Sequence, residues 1–182
     1  MEFLGWLALL IVLPAVSFFN LLVSRRNQAD NAAAGIDVYL KQRFDLIPNL
    51  VSTVQGYMKH ERETLENITN ARSRAMGAGT VGEKSKAEGA LNGAIGRFLI
   101  AVENYPDLKA NQNFLALQEE LSSTENKIAF ARQSYNDQVL FYNNKIQMVP
   151  SNIIAGMFRF TPEEFFELED TAQREVPKVS FS

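Results

Sequence analysis

The sequence has no cysteine, one histidine and one tryptophan, and only six prolines and ten glycines in 182 residues. Without cysteine, neither disulfides nor thiolate metal sites can supply stability. A single histidine, His60, cannot furnish the two Glu-x-x-His motifs of a ferritin-like di-metal bundle. His60-Glu61 does not begin an H-E-x-x-H motif, because position 64 is threonine. No Gly-x-Ser-x-Gly elbow is present to frame a Ser-His-Asp arrangement. The glycines between Gly77 and Gly82 neither follow a strand nor end in Lys-Ser/Thr, so they read as a turn and not as a phosphate loop. His60 itself reads as a solvated or capping residue on a polar helix face. The expectation is a protein that is not an enzyme, with no catalytic, cofactor or metal site and no small-molecule substrate. The net charge of −3 leaves no broad cationic face for nucleic acid.

Charge is also missing from one long stretch. Residues Phe3 to Val23 read FLGWLALLIVLPAVSFFNLLV, 21 residues of which fourteen are Leu, Ile, Phe or Val. At 1.5 Å per residue this is roughly 31 Å of helix, the thickness of a bilayer's hydrocarbon core. Ser17, Asn20 and Pro14 weaken the insertion tendency without cancelling it, and Trp6 suits an interface. A cleaved signal peptide fits poorly: Glu2 is the only charge ahead of the run, and the run is too long for an h-region. Residues 1–24 are therefore expected to be a membrane anchor and residues 25–182 a single domain with its own core. Arg25 and Arg26 follow the span at once, with Lys41 and Arg43 beyond, which places the domain in the cytoplasm.

Behind the anchor the apolar residues follow helical periods. Ile36, Leu40, Ile47, Val51, Val54, Met58, Leu65 and Ile68 are spaced by three, four or seven. Leu40, Ile47, Val54, Glu61, Ile68 and Ala75 form one row of sevens, and Leu50, Tyr57, Thr64 and Ala71 form another. Pro48 has no amide hydrogen and clashes with the preceding turn, so a kink or break is expected near Leu46–Ile47. A second series, Phe114, Leu121, Ile128, Tyr135, Tyr142 and Val149, runs for about five heptads to Pro150, beside a partner row of Leu117, Thr124, Ala131, Gln138 and Lys145. Thr80 with Glu83 makes a capping box that opens a helix over 83–103, with Ala87, Leu91, Ala94 or Ile95, Phe98 and Val102 on one face. Tyr105-Pro106-Asp107 ends that helix, and Thr161-Pro162-Glu163-Glu164 has the composition of a further helix start. No period-two strand appears. The fold class expected is all-α: an N-terminal transmembrane helix, an antiparallel bundle of three long helices, and a short C-terminal helical segment.

Several long motifs then carry a resemblance. Lys41-Gln42-Arg43-Phe44-Asp45-Leu46-Ile47-Pro48-Asn49-Leu50-Val51, followed by Gly56-Tyr57-Met58-Lys59-His60-Glu61, resembles the first signature of the bacterial LemA family. Residues 105–137 resemble its second signature. Pro150-Ser151-Asn152-Ile153-Ile154-Ala155-Gly156 with Phe158 resembles its third, and Pro177-Lys178-Val179-Ser180-Phe181 fits its close. The resemblance implies a bacterial inner-membrane, single-pass protein with a helical, coiled-coil-like domain. It attaches no catalytic residue to the motifs and suggests membrane remodelling or envelope organisation.

Two places stand out as partner sites. Arg43 and Asp45 flank Phe44 beside Pro48, a polar and aromatic patch at an expected kink that could serve a partner, although simple packing of Phe44 between solvated neighbours is the preferred reading. Ile153, Ile154, Met157 and Phe158 fall at i, i+1, i+4 and i+5; they either dock onto the end of the bundle or form an amphipathic element for a bilayer or a partner. The acidic run Glu163, Glu164, Glu167, Glu169 and Asp170 argues for protein over anionic lipid. Asn49, Asn126, Asn136, Asn143 and Asn144 lie in helical context; they either form buried interhelical hydrogen bonds that fix register or face water, and most are expected to face water. The leading functional expectation is a membrane-anchored helical scaffold. Its partners are the bilayer through the N-terminal helix and protein helices, a second copy of the chain among them. The alternative is an adaptor for a membrane enzyme, such as a protease handling envelope proteins.

Overall fold

The computed structural model describes residues 2–58 and 60–166, with the side chains of residues 2–5 and 7–9 outside that description. Among the described residues every regular element is helical. They are α1 (Glu2–Val54), α2 (Arg62–Gly77), α3 (Val81–Val102), α4 (Pro106–Lys109), α5 (Gln112–Gln147) and α6 (Ser151–Met157). The chain divides into two units: Met1–Leu40 with Thr124–Phe165, and Lys41–Ser123 with the chain from Phe166. Both α1 and α5 contribute one part to each.

The expected anchor and the first domain helix lie within one continuous helix, α1. Its buried positions include Leu22, Ala29, Ile36, Arg43 and Leu50, each seven residues from the last, flanked by Leu40, Ile47 and Val54. This is a coiled-coil-like seam with one arginine in it. Among the described residues no helix is long and apolar enough to cross a membrane. Phe3, Leu4, Leu7 and Leu9, which complete the expected span, have side chains outside the described residues.

The expected break at Leu46–Ile47 does not occur. The helix continues through Pro48 to Val54, and the chain turns only between Gln55 and Glu61. Proline leaves the carbonyl four residues earlier without its helical donor. Here that carbonyl belongs to Phe44, and the Nε–H of Arg72 on α2 donates to it at 2.7 Å. A cation supplies the missing hydrogen bond, so the helix has no need to open.

In the second unit α2 packs on α3. Gly79 and Thr80 shape the connection as expected. Thr80 Oγ1 accepts from the Glu83 amide, and the Glu83 carboxylate accepts from the amides of Thr80 and Gly79. Those backbone donors, Thr80 first, hold the Glu83 carboxyl below its usual range. The buried face of α3 is Ser85, Glu88, Leu91, Ala94, Ile95, Phe98 and Val102. Thus Glu88, and not Ala87, occupies the inward position. Phe98 meets Phe114 edge-on, with ring centroids 6.3 Å apart.

In the first unit a cluster of Leu22, Tyr142, Ile146, Ile154 and Ala155 is buried, with Ala15, Phe18, Phe19 and Phe160 packed against it. The series on α5 is interior at Phe114, Leu121, Ile128, Tyr135 and Tyr142, as the sevenfold spacing predicts, whereas Val149 lies past the helix end and is exposed. Ser151 Oγ donates towards the carbonyls of Lys145 and Met148, satisfying acceptors that the end of α5 leaves open. α6 closes with the amide of Phe160 on the carbonyl of Ala155 and that of Arg159 on Gly156. This is a Schellman arrangement that puts Arg159, with φ of 56°, at the left-handed position where glycine is usual.

The helix expected to start at Thr161 is absent from 161–166. Side chains of α5 take up the backbone groups that a helix would have used. Tyr142 donates to the carbonyl of Thr161 at 2.9 Å and Tyr135 to that of Glu164 at 2.7 Å. The amide of Asn143 both donates to the Glu163 carbonyl and accepts from the Glu163 N–H. Residues 161–165 therefore form an extended strap tied to α5. Of the five asparagines, Asn49, Asn126 and Asn144 are exposed as expected, Asn136 is half-buried, and Asn143 is buried with both its hydrogen bonds to the strap at Glu163.

Candidate functional site

The first signature region forms the interior of the second unit. Arg43 Nη1 lies 3.0 Å from Glu88 Oε2, and the two side chains are only 4% and 1% exposed. An arginine on the seam of α1 thus meets a glutamate on the apolar face of α3. Buried charge is tolerated when it is paired and hydrogen-bonded. Phe44 is buried beside this pair. Asp45 is exposed and bound to Lys41 at 2.8 Å, an ordinary i,i+4 surface pair. Pro48 is exposed and borders a cavity of about 340 Å³ with Ile47, Val51, Thr69 and Arg72 among its lining residues. Of the four partner-site residues proposed in this region, then, Asp45 and Pro48 offer surface, while Arg43 and Phe44 are interior.

His60 is exposed in the turn between α1 and α2. Its neighbour Glu61 accepts at 3.4 Å from the hydroxyls of Tyr105 and Thr64. Loss of hydration raises the Tyr105 phenol, and the Glu61 charge adds to the rise. Among the described residues no three His, Asp or Glu side chains converge as a metal site requires.

The third signature region forms the end of the first unit. Ile154 and Ala155 face the core, while Ile153, Met157 and Phe158 face outward. Phe158 lies over Phe19 of α1, with centroids 4.7 Å apart, and Phe160 approaches the same ring at 5.8 Å. These residues therefore do both things weighed for them: one side docks and the other stays open. Behind the aromatic contact, Arg25 sits 6.0 Å from the Phe141 ring centroid and Arg26 lies 3.4 Å from Glu163. A pocket of about 550 Å³ is lined there by Phe19, Arg26, Phe158 and Arg159 among others. Tyr135 is buried close to Glu163, Asp30 and Glu164; burial first, and these charges second, push its phenol up to about 12. Glu167, Glu169, Asp170 and the Pro177–Phe181 motif lie outside the described residues.

Glu88, Arg72 and the hydroxyls of Tyr135 and Tyr142 do not stand out in the sequence as interacting groups. Glu88 had a signal: it precedes Leu91, Ile95, Phe98 and Val102 at helical spacing. Arg43 had one too, midway between Ile36 and Leu50 in steps of seven. Arg72 had none, because its partner carbonyl lies 28 residues away.

Comparison with known proteins bears on the whole arrangement. The chain is 30% identical over 138 residues to the LemA protein of Metamycoplasma hominis; the match covers 75% of this chain and 63% of that one, so this chain spans a little under two thirds of that relative's length. It is 24% identical over 194 residues to magnetosome protein MamQ 2 of Paramagnetospirillum magneticum, covering 88% of this chain and 71% of the relative. Magnetosome protein MamQ of Magnetospirillum gryphiswaldense is 22% identical over 188 residues, covering 85% and 69%. The LemA family model matches residues 32–181, and the protein belongs to the LemA family.

Proposed function

We propose that the protein is a membrane-tethered helical scaffold, with Phe3–Val23 crossing the bilayer of a bacterial inner membrane and residues 25–182 on the cytoplasmic side. One observation carries this. Leu10, Ile11, Val12 and Leu13 are consecutive in α1 and each is at least half exposed, as is Val16. Successive helical residues are turned by about 100° from one another, so four in a row open an apolar surface on every side of the helix. Water penalises such a surface at roughly 25 cal/mol per Å², and lipid does not. Phe3, Leu4, Leu7 and Leu9 extend the same composition in sequence, and Arg25 and Arg26 follow it on the side that basic residues favour.

Behind the tether the protein offers helix faces, not chemistry. Asp45 and Pro48 on one unit, and Ile153, Met157 and Phe158 on the other, are the surfaces for protein partners or for a second copy of the chain. Family membership and the magnetosome proteins among the relatives support a structural role over an enzymatic one.

The test is protease accessibility in intact and permeabilised cells, after carbonate extraction has separated integral from peripheral protein. Retention in the carbonate pellet, with the domain digested only after permeabilisation, is the expected result. Release by carbonate overturns the tether, and digestion in intact cells overturns the orientation. Affinity capture of the full chain in detergent distinguishes the scaffold from the adaptor: self-contacts favour the first, one stoichiometric membrane enzyme the second.

A further inference from the structure

We infer that α6 and the turn before it are immersed in the interfacial layer of the bilayer, beside the tether, and that lipid covers their open apolar face. This rests on the tether proposed above and specifies where the domain end sits on it. Met148, Val149, Ile153, Met157 and Phe158 form an outward apolar surface, with Val149 77% and Met157 71% exposed. Surfaces of this kind are rare on proteins surrounded by water.

Two observations select lipid as the occupant. The first is continuity. The inner side of α6, through Ile154 and Ala155, is in one core with Leu22 of α1, and Ala15, Phe18 and Phe19 pack on it. Phe158 meets Phe19 itself with its ring tilted by 56°. These α1 residues fall within the last three turns of the expected span, so whatever packs on them lies at their depth. The open face of α6 therefore continues the exposed apolar surface of Leu10–Val16. The second is charge. Arg25 and Arg159 stand just behind the aromatic contact; Arg159 lines one pocket with Phe19 and Phe158, where Asp30 and Arg26 also lie and Arg26 is taken up by Glu163. Apolar side chains in the acyl boundary with cations at phosphate level are what an interfacial element requires. The acidic run does not oppose this at Glu163, whose carboxylate is already bound to Arg26. The left-handed Arg159 places a cation at a corner where glycine would be easier.

The absence of cysteine makes the test direct. Single variants M157C, I153C, L13C and F130C carry a nitroxide in the full chain, reconstituted in phosphatidylcholine–phosphatidylglycerol vesicles, with circular dichroism checking the fold. Phe130 is an exposed position of α5 in the same unit, about 18 Å along the helix from Tyr142. Collision rates with oxygen, which concentrates in lipid, and with a water-soluble nickel chelate are compared. Oxygen-to-nickel ratios severalfold above that at position 130, at positions 13, 153 and 157 alike, are expected. Lipid exposure at 13 with nickel access at 153 and 157 overturns the immersion and leaves the tether standing. Shielding of 153 and 157 from both reagents overturns it in favour of a protein partner or a second copy. Nickel access at 13 as well defeats the tether and the inference together.

Discussion

If Arg72 stands in for the amide that Pro48 lacks, removing the arginine should be harmful only while the proline is present. Arg72 Nε is 2.7 Å from the Phe44 carbonyl oxygen in a partly buried setting. A hydrogen bond from a charged donor contributes about 1.5–3 kcal/mol, and a carbonyl left open in such a setting forfeits a similar amount. Arg72→Met keeps most of the side-chain stem and removes the donor. It should lower stability by about 1.5–3 kcal/mol, which is roughly 3–12 °C in Tm for a chain of this size. In Pro48→Ala the amide of residue 48 returns to the Phe44 carbonyl, and the loss of Arg72 should then cost less than about 1 kcal/mol. The cycle of wild type, two single variants and the double variant, followed by urea denaturation and far-UV circular dichroism, yields a coupling of about 1–2 kcal/mol. Hydrogen exchange across α2 locates the loss. An equal cost of Arg72→Met with and without Pro48 would refute the substitution of cation for amide.

Two further outcomes follow from the interior. Arg43→Met or Glu88→Leu alone removes one charge of a buried pair and should cost about 3–5 kcal/mol, while the combined Met–Leu variant should lie within about 1 kcal/mol of wild type; additive losses in denaturant melts would count against a coupled pair. Tyr135 makes the fold sensitive to alkali. Its phenol ionises near 10 when unfolded and is pushed up to about 12 in the fold, so its contribution is fully present below pH 10 and is lost as pH rises towards 12, by up to about 3 kcal/mol. Tyr135→Phe should flatten that alkaline slope while costing about 1 kcal/mol at neutral pH for the bond to the Glu164 carbonyl; unchanged slopes would exclude this group as the origin.

Periodicity made most of the helices legible. The series from Phe114 to Tyr142 and the Thr80–Glu83 cap are local patterns whose physics depends on neighbours a turn or two away. What stayed hidden was tertiary. Pro48 reads as a breaker because the residue that rescues it comes from another helix. Thr161-Pro162-Glu163 reads as a helix start because its competitors, Tyr135, Tyr142 and Asn143, belong to α5. Arg43 reads as a solvated neighbour of Phe44, and Glu88 does not stand out at all, although both fall on rows whose other members are interior. The outward side of α6 was visible as spacing, but its inner contacts with Phe19 and Leu22 were not.

The division of the chain also orders its biosynthesis. The first unit joins Met1–Leu40 to Thr124–Phe165, with most of the second unit between them in sequence. Lys41–Ser123 can therefore emerge and pack while the leading residues still await theirs. Leu22 is made early, but Tyr142, Ile146 and Ile154 reach it only after more than a hundred further residues have been synthesised. Such long-range closure is the slow step of a fold. During that interval an uncovered apolar stretch at the leading end is exposed to aggregation. On the tethered reading a bilayer shelters it early, and the later-made α6 and strap then arrive at a helix already held in place.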